Sequence, residues 1–282
     1  DDFLKASGAL SLLLYRADIE MNLRTKEMAG FQLLDLQDYS GQGSAYVGVL
    51  DAFMDSKGLV TPEQWREFCC EVVPLFTTPK FCWSGNEQLS GKVEIANYSP
   101  NSLNGNSLHW ELVSNGQVFE KGKYTIPAGT GLLDVSELSI QLPNVMKACK
   151  AEMNLKIEGT AYKNSYPLWI YPSTQPIHND GIAVARALDD EAICTLRQGG
   201  KVLLLPRRED CSELTVGGLF QSDYWNYRMF KSICDRIKKP ASPGTLGILT
   251  NPEHAIFKDF PTEFHTNWQW FSIIKHSYPM IL

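Results

Sequence analysis

The chain lacks any run of about 18 apolar residues, the shortest stretch that reads as a membrane-crossing helix, so no membrane span is expected. Its longest apolar stretch near the start, Ala9 to Tyr15, is too short and is followed by charges. No signal-peptide pattern opens the sequence. It also lacks an excess of positive charge: 26 Lys and Arg face 32 Asp and Glu, and the net charge of −6 disfavours nucleic acid as a partner. The seven cysteines (Cys69, Cys70, Cys82, Cys149, Cys194, Cys211 and Cys234) form no CxxC pairs and no disulfide framework. Free thiols are expected. GxGxxG, Walker and HExxH frames are all missing, so no cofactor and no metal is expected.

What is present suits a globular protein of two or three parts. The chain has 282 residues, 44% hydrophobic and 21% charged, enough to bury a sizeable core. Residues 1–76 read as helix, strand, helix. Leu10, Leu13, Leu14, Ala17 and Met21 recur at helical spacing, while Arg16, Glu20 and Arg24 fall on other faces. Glu20 and Arg24 are an i,i+4 pair. A strand is predicted over Phe31 to Gln37. Thr61, Pro62 and Gln64 form a capping box that opens a helix running to about Val73.

Residues 77–172 change to short alternating runs, with Asn115-Gly116 as a hairpin turn between two of them. This pattern predicts an antiparallel, immunoglobulin-like β-sandwich. Residues 173–282 begin with a polar, proline-containing stretch. A βαβ pattern follows, with a helix from Asp189 to Gln198 and Gly199 or Gly200 as its C-cap. Further helices are predicted near Tyr227 to Ile237 and Trp268 to Lys275, with a strand at 245–249 and a last one at Met280 to Leu282. These imply a partial open α/β domain of the flavodoxin or glutamine-amidotransferase type. The fold class is therefore multidomain: α/β parts flanking an all-β sandwich.

Asp35, Gln37 and Asp38 are the best candidates for substrate contact. They lie among Leu33, Leu34 and Leu36, where a charge is costly unless paired or used. Carboxylates and amides make the bidentate hydrogen bonds that sugar hydroxyls need. The competing role is structural, a carboxylate holding a rim loop through its amide groups. Asp35 and Asp38 do not suit a retaining pair. Such carboxyls stand about 5 Å apart, whereas three residues of strand separate them by roughly 10 Å and turn them to opposite faces.

Other clusters have weaker patterns. The loop from Ser40 to Gly48 reads as a flexible rim. Cys211 sits among Glu209, Asp210 and Glu213, which disfavour a nucleophilic thiolate beside His178, His254 or His265. His254, Asp259, Glu263 and His265 match no standard metal spacing and suit loop and cap roles. Tyr224, Trp225, Trp268 and Trp270 could stack on sugar rings. Trp268 and Trp270, two apart on a helix, instead suggest one core residue and one contact with a neighbouring part.

The run from Gly30 to Gly58, GFQLLDLQDYSGQGSAYVGVLDAFMDSKG, resembles the eighth strand and loop of the (β/α)8 barrel in glycoside hydrolase family 2, the β-galactosidase-like enzymes. Gly48 to Phe68 resembles the family's passage to its last helix. Leu34 and Leu36 stand where the family carries tryptophans, which argues against ordinary β-galactosidase specificity. The resemblance implies that residues 1–76 are the end of such a barrel and that 77–172 is the module following it. Residues 260–275 resemble part of an α/β domain that some large relatives carry. It further implies a retaining glycosidase whose two glutamates lie before Asp1, so that this chain is a C-terminal fragment with no catalytic residue of its own. Carbohydrate is the implied partner, through the parent barrel, and a periplasmic or secreted location is the family's implication. A non-catalytic carbohydrate-binding or domain-docking module is the alternative. Sugar, linkage and oligomeric state are not set by the sequence.

Overall fold

The structure, a computed structural model, describes residues 2–41, 47–173, 181–215, 227–238 and 248–278. It is mostly β-sheet, and the 23% of helix is too little for alternating α/β layers. The centre is a pair of antiparallel sheets. Strands β1 (Val72–Thr77), β3 (Gln88–Asn97) and β6 (Gly131–Gln141) form one, in the order β1-β3-β6. The other has the order β2-β8-β7-β4-β5. Its strands are β2 (Cys82–Ser84), β4 (Ser107–Ser114), β5 (Gln117–Thr125), β7 (Cys149–Ile157) and β8 (Lys163–Tyr171). Only β2 runs parallel to its neighbour, β8.

The period-2 pattern of these strands decides what they bury. Leu108, Leu112, Met153, Leu155, Leu168 and Ile170 point inward from the five-stranded sheet and meet Val93, Ile95 and Ile140 of the other. Each such side chain contributes about 1.5–3 kcal/mol on burial. At the β4–β5 turn, Asn115 and Gly116 take φ of 49° and 76°, the left-handed pair that a tight hairpin demands.

β1 serves two cores. Val72 and Phe76 face the sandwich interior, while Val73 and Leu75 face outward onto the first helix, α1 (Asp2–Leu23). There Ile19, Leu23 and Phe68 close a second, smaller core. α1 presents Leu10, Ile19, Glu20 and Leu23 inward, so Met21, expected on the apolar stripe, is turned to solvent and Glu20 is buried. The capping box at Thr61 is present, but its helix, α2 (Pro62–Arg66), ends well before Val73. Pairing of Val72–Thr77 with β3 takes that segment for the sheet.

The mixed fold class, with a barrel end and a flavodoxin-like domain, is overturned. Residues 31–37 form no strand: an isolated bridge joins Gln37 to Leu50, and Leu34 is 78% exposed. A barrel strand would be buried between neighbours on both sides. Beyond the sandwich, β9 (Ile182–Ala185) and β10 (Lys201–Leu204) are parallel and joined by α3 (Asp190–Arg197). Asp189 caps α3, accepting from the Ala192 N–H at 2.9 Å, and Gly199 follows its end with φ of 79°. Among the described residues that unit has two strands, and Ile182, Val184 and Leu203 on them are exposed. An open parallel sheet buries several strands on both faces, so no flavodoxin-like domain is formed by the described residues.

Helix α4 (Tyr227–Arg236) follows, and α5 (Phe271–Lys275) extends a 3-10 turn at Trp268–Trp270. The expected strand at 245–249 is reduced to one bridge, Leu249 to His265; its residues 245–247, and the strand at Met280 to Leu282, lie outside the described residues. The segment 260–270 packs on the outer face of β8. Trp169 Nε1 donates to Pro261 O at 3.2 Å, Lys150 pairs with Glu263 at 2.7 Å, and Gln269 donates to the Tyr171 hydroxyl.

Candidate functional site

The three sequence-predicted site residues lie on one hydrogen-bonded loop, not on a strand. Asp38 N–H donates to Leu50 O and Leu50 N–H to Leu36 O, each at 3.1 Å, which clamps 36–38 against 49–50. Gly48 lies directly on the Gln37–Asp38 backbone, where any Cβ would collide with main-chain atoms. The loop is anchored to α1 by Tyr15, whose hydroxyl is 3.0 Å from Val47 O and 3.4 Å from Asp35 O.

Asp38 is buried, and its Oδ1 accepts from Lys57 Nζ at 2.6 Å and from the Gly48 N–H at 3.1 Å. Lys57 also donates to Gly48 O at 2.9 Å. The carboxylate therefore fastens the loop, the structural alternative raised by the sequence. Asp35 and Gln37 are half-buried, and their side chains have no hydrogen-bond partner among the described residues. The structure brings all three residues together within one short segment, but none lines the adjoining cleft of about 200 Å³ between Leu4, Gly8, Val47, Lys57 and Leu59.

The network at Glu20 was visible in sequence only as one i,i+4 pair. Its carboxylate takes Arg16 Nε and Arg24 Nη2, each at 2.9 Å, together with the Asn164 amide at 3.2 Å. Arg16 Nη2 continues to Asn164 Oδ1 at 2.6 Å and Ser165 O at 2.5 Å. The spacing Arg16-x3-Glu20-x3-Arg24 was the available signal: two cations one turn either side of a single acid. Burial and the neighbouring Glu20 carboxylate drive the Tyr166 phenol far above its ordinary range.

The remaining candidates are scattered. Cys211 ends a short 3-10 turn, and its carbonyl accepts from Thr215. His254 accepts from the Ile256 N–H at 3.2 Å, and Glu263 is engaged by Lys150 and Asn267. No three His, Cys, Asp or Glu side chains among the described residues gather as metal ligands would. Trp270 packs against Phe257 and Phe260, and Trp268 stacks on Phe81. Tyr224, Trp225 and His178 lie outside the described residues, as do most of the loop at 40–48 and the linker from 174. No described helix is long and apolar enough to cross a membrane.

Two family models match parts of the chain. A domain of unknown function, DUF8488, covers residues 87–172, and another, DUF8487, covers 183–282. No curated protein matches. Among solved structures, a CARDB domain from Pyrococcus furiosus is 10% identical, covering 36% of this chain and 96% of its own, with a TM-score of 0.27. The β-glucuronidase of Parabacteroides merdae is 10% identical over 36% of this chain and 13% of its own, with a TM-score of 0.24. The fibronectin(III)-like modules of CbhA from Clostridium thermocellum are 12% identical, covering 36% and 96%, at 0.22. Likenesses at these scores bear on neither fold nor function.

Proposed function

We propose that this chain is a non-catalytic part of a glycoside-hydrolase-like protein, in which it serves as a docking scaffold. The observation that carries the reading is the paired segments 31–41 and 47–57. They are fixed by Asp38, Lys57 and Tyr15, yet they expose Phe31, Leu34, Leu36, Phe53 and Met54, with Phe53 85% and Leu34 78% exposed. A surface held by these bonds and carrying several large exposed apolar side chains suits burial against another surface. Residues 30–37 do not form the barrel strand that the resemblance implied, so the glycosidase part of the reading rests on the sequence likeness of residues 48–68 alone.

The test is aryl-glycoside hydrolysis by the intact parent polypeptide and by this chain alone. Turnover by the parent that L34S/F53S weakens, with none by the chain, supports the reading. Turnover by the isolated chain, or a parent inert on all common pyranosides, overturns it. The side chains of Asp35 and Gln37, without a partner among the described residues, favour a second reading, direct glycan binding at these residues. That reading requires saturable oligosaccharide binding that D35A and Q37A abolish.

A further inference from the structure

We propose that Asn115, at the tip of the β4–β5 hairpin, is a site of spontaneous covalent modification, where the side-chain amide is lost as ammonia and an aspartyl or isoaspartyl residue remains. The hairpin shares no residue with the segments proposed above to dock, so the inference stands apart from that function.

The chemistry is intramolecular. The backbone nitrogen of the residue after an asparagine attacks the asparagine Cγ. The new N–Cγ bond closes a cyclic imide, and the Cγ–Nδ2 bond breaks. The proton shed by the backbone nitrogen leaves with Nδ2 as ammonia. Water then opens the imide at either carbonyl, restoring the ordinary chain or rerouting it through Cγ. Water enters and ammonia departs, so the reaction balances without an oxidant or a cofactor. Both reacting groups sit at neighbouring positions of one chain, which supplies the proximity. The local needs are a side chain free to swing, a backbone N–H free to lose its proton, and no Cβ in the way.

The sequence holds two Asn-Gly pairs, Asn104-Gly105 and Asn115-Gly116. Both are exposed, both glycines have positive φ (81° and 76°), and nothing lies within 4 Å of either Cβ position. Space does not separate them, but hydrogen bonding does. The Gly105 N–H donates to Ile126 O at 3.0 Å, and the fully buried Ile126 returns its own N–H to Asn106 O at 2.9 Å. The Asn106 N–H closes onto Leu103 O at 3.1 Å, and the Asn104 N–H onto the Ser102 hydroxyl at 3.3 Å. The nitrogen that would attack Asn104 is thus held by its proton.

At the hairpin tip the same atoms are free. Neither the Gly116 N–H nor the Asn115 side chain has a hydrogen-bond partner among the described residues. The turn is closed by the pairing of Ser114 with Gln117, and residues 115–118 are all exposed. Opening such a tip costs far less than unfolding the sheet, which brings the attack within reach of the folded protein. The product alters the turn itself. A tight two-residue turn fixes the register of the strands it joins, and the isoaspartyl form adds a backbone carbon there.

The experiment ages the full chain in mildly alkaline buffer, with a second sample unfolded in urea. Peptide mapping by mass spectrometry then follows Asn115 and Asn104 separately. In the folded protein Asn115 should convert at least about fivefold faster than Asn104, the factor for one backbone hydrogen bond that must first open. In urea the two should convert at matching rates, since glycine follows both. Gly116→Ala should lose most of the conversion, because its Cβ hinders the attacking nitrogen. Should that variant fail to fold by circular dichroism, the wild-type comparison decides. Asn104 converting as fast as Asn115 in the folded protein overturns the proposal. So does an unchanged preference in urea, an Asn115 that stays intact while the urea sample converts, or a folded G116A that retains the full rate.

Discussion

Asn164 donates its side-chain amide to the Glu20 carboxylate at 3.2 Å, joining residues 144 positions apart. The same amide reaches Pro74 O at 2.9 Å, so α1, β1 and β8 meet at one polar point. Helix and sandwich are keyed together there by charge rather than by apolar packing alone.

Replacing Glu20 with alanine leaves Arg16 and Arg24 without their shared counter-charge. Breaking a buried ion network from one side is far costlier than its net worth, and a loss of about 3 kcal/mol in urea denaturation is expected, reduced by the partial exposure of both arginines. A change below about 0.5 kcal/mol, typical of surface sites, would contradict the burial described for Glu20.

Asp38 and Lys57 separate a structural role from a binding one. D38N keeps the shape but weakens the ion pair and its charge-assisted bond to the Gly48 amide, costing about 1.5–3 kcal/mol. A lowered melting temperature in D38N and K57M alike is the expected outcome. Unchanged melting together with lost glycan binding would make Asp38 a ligand contact instead.

The β4–β5 turn allows a backbone-only test. Gly116 has φ of 76°, and nothing lies within 4 Å of where a Cβ would sit. Gly116→Ala should therefore cost about 1 kcal/mol through strain, without a clash. A neutral result in thermal unfolding would exclude the left-handed geometry.

Alkaline stability should follow Tyr171. Burial pushes its phenol up to about 12, against the opposing hydrogen bond from Gln269. The unfolded phenol ionises near 10, so between 10 and 12 the unfolded chain releases a proton that the folded one keeps. The stabilisation is complete below 10 and disappears as the pH rises through the folded value. Ultraviolet titration of wild type against Y171F isolates this phenol; ionisation near 10 in the folded protein would overturn the packing of 260–270 on β8.

Local chemistry was legible wherever it sufficed. Thr61 and Gln64 close their capping box, Gly199 follows the end of α3 with positive φ, and Asn115-Gly116 turns the hairpin, since each depends on residues a few positions apart. The strand predicted at Phe31 to Gln37 failed because an apolar run becomes a strand only with partners to pair, and the described residues supply one bridge. The helix from Thr61 stopped early because Val73 and Leu75 gain more from the second core than from another helical turn. The burial of Glu20 depends on Asn164 and Pro74, which no local window includes. At the candidate site, clustering of Asp35, Gln37 and Asp38 was readable, whereas the Asp38–Lys57 bond required knowing how the loop closes.

The outer face of β8 carries a further consequence. Tyr171 ends that strand and touches Gln269 and, at 6.4 Å between ring centroids, Phe260. The two ends of the span between Tyr171 and Phe260 thus lie side by side on the sandwich. Bringing two such ends together costs little more as the chain between them lengthens. The clasp at Tyr171 therefore holds the covering segment to the sandwich independently of how long the chain between them is.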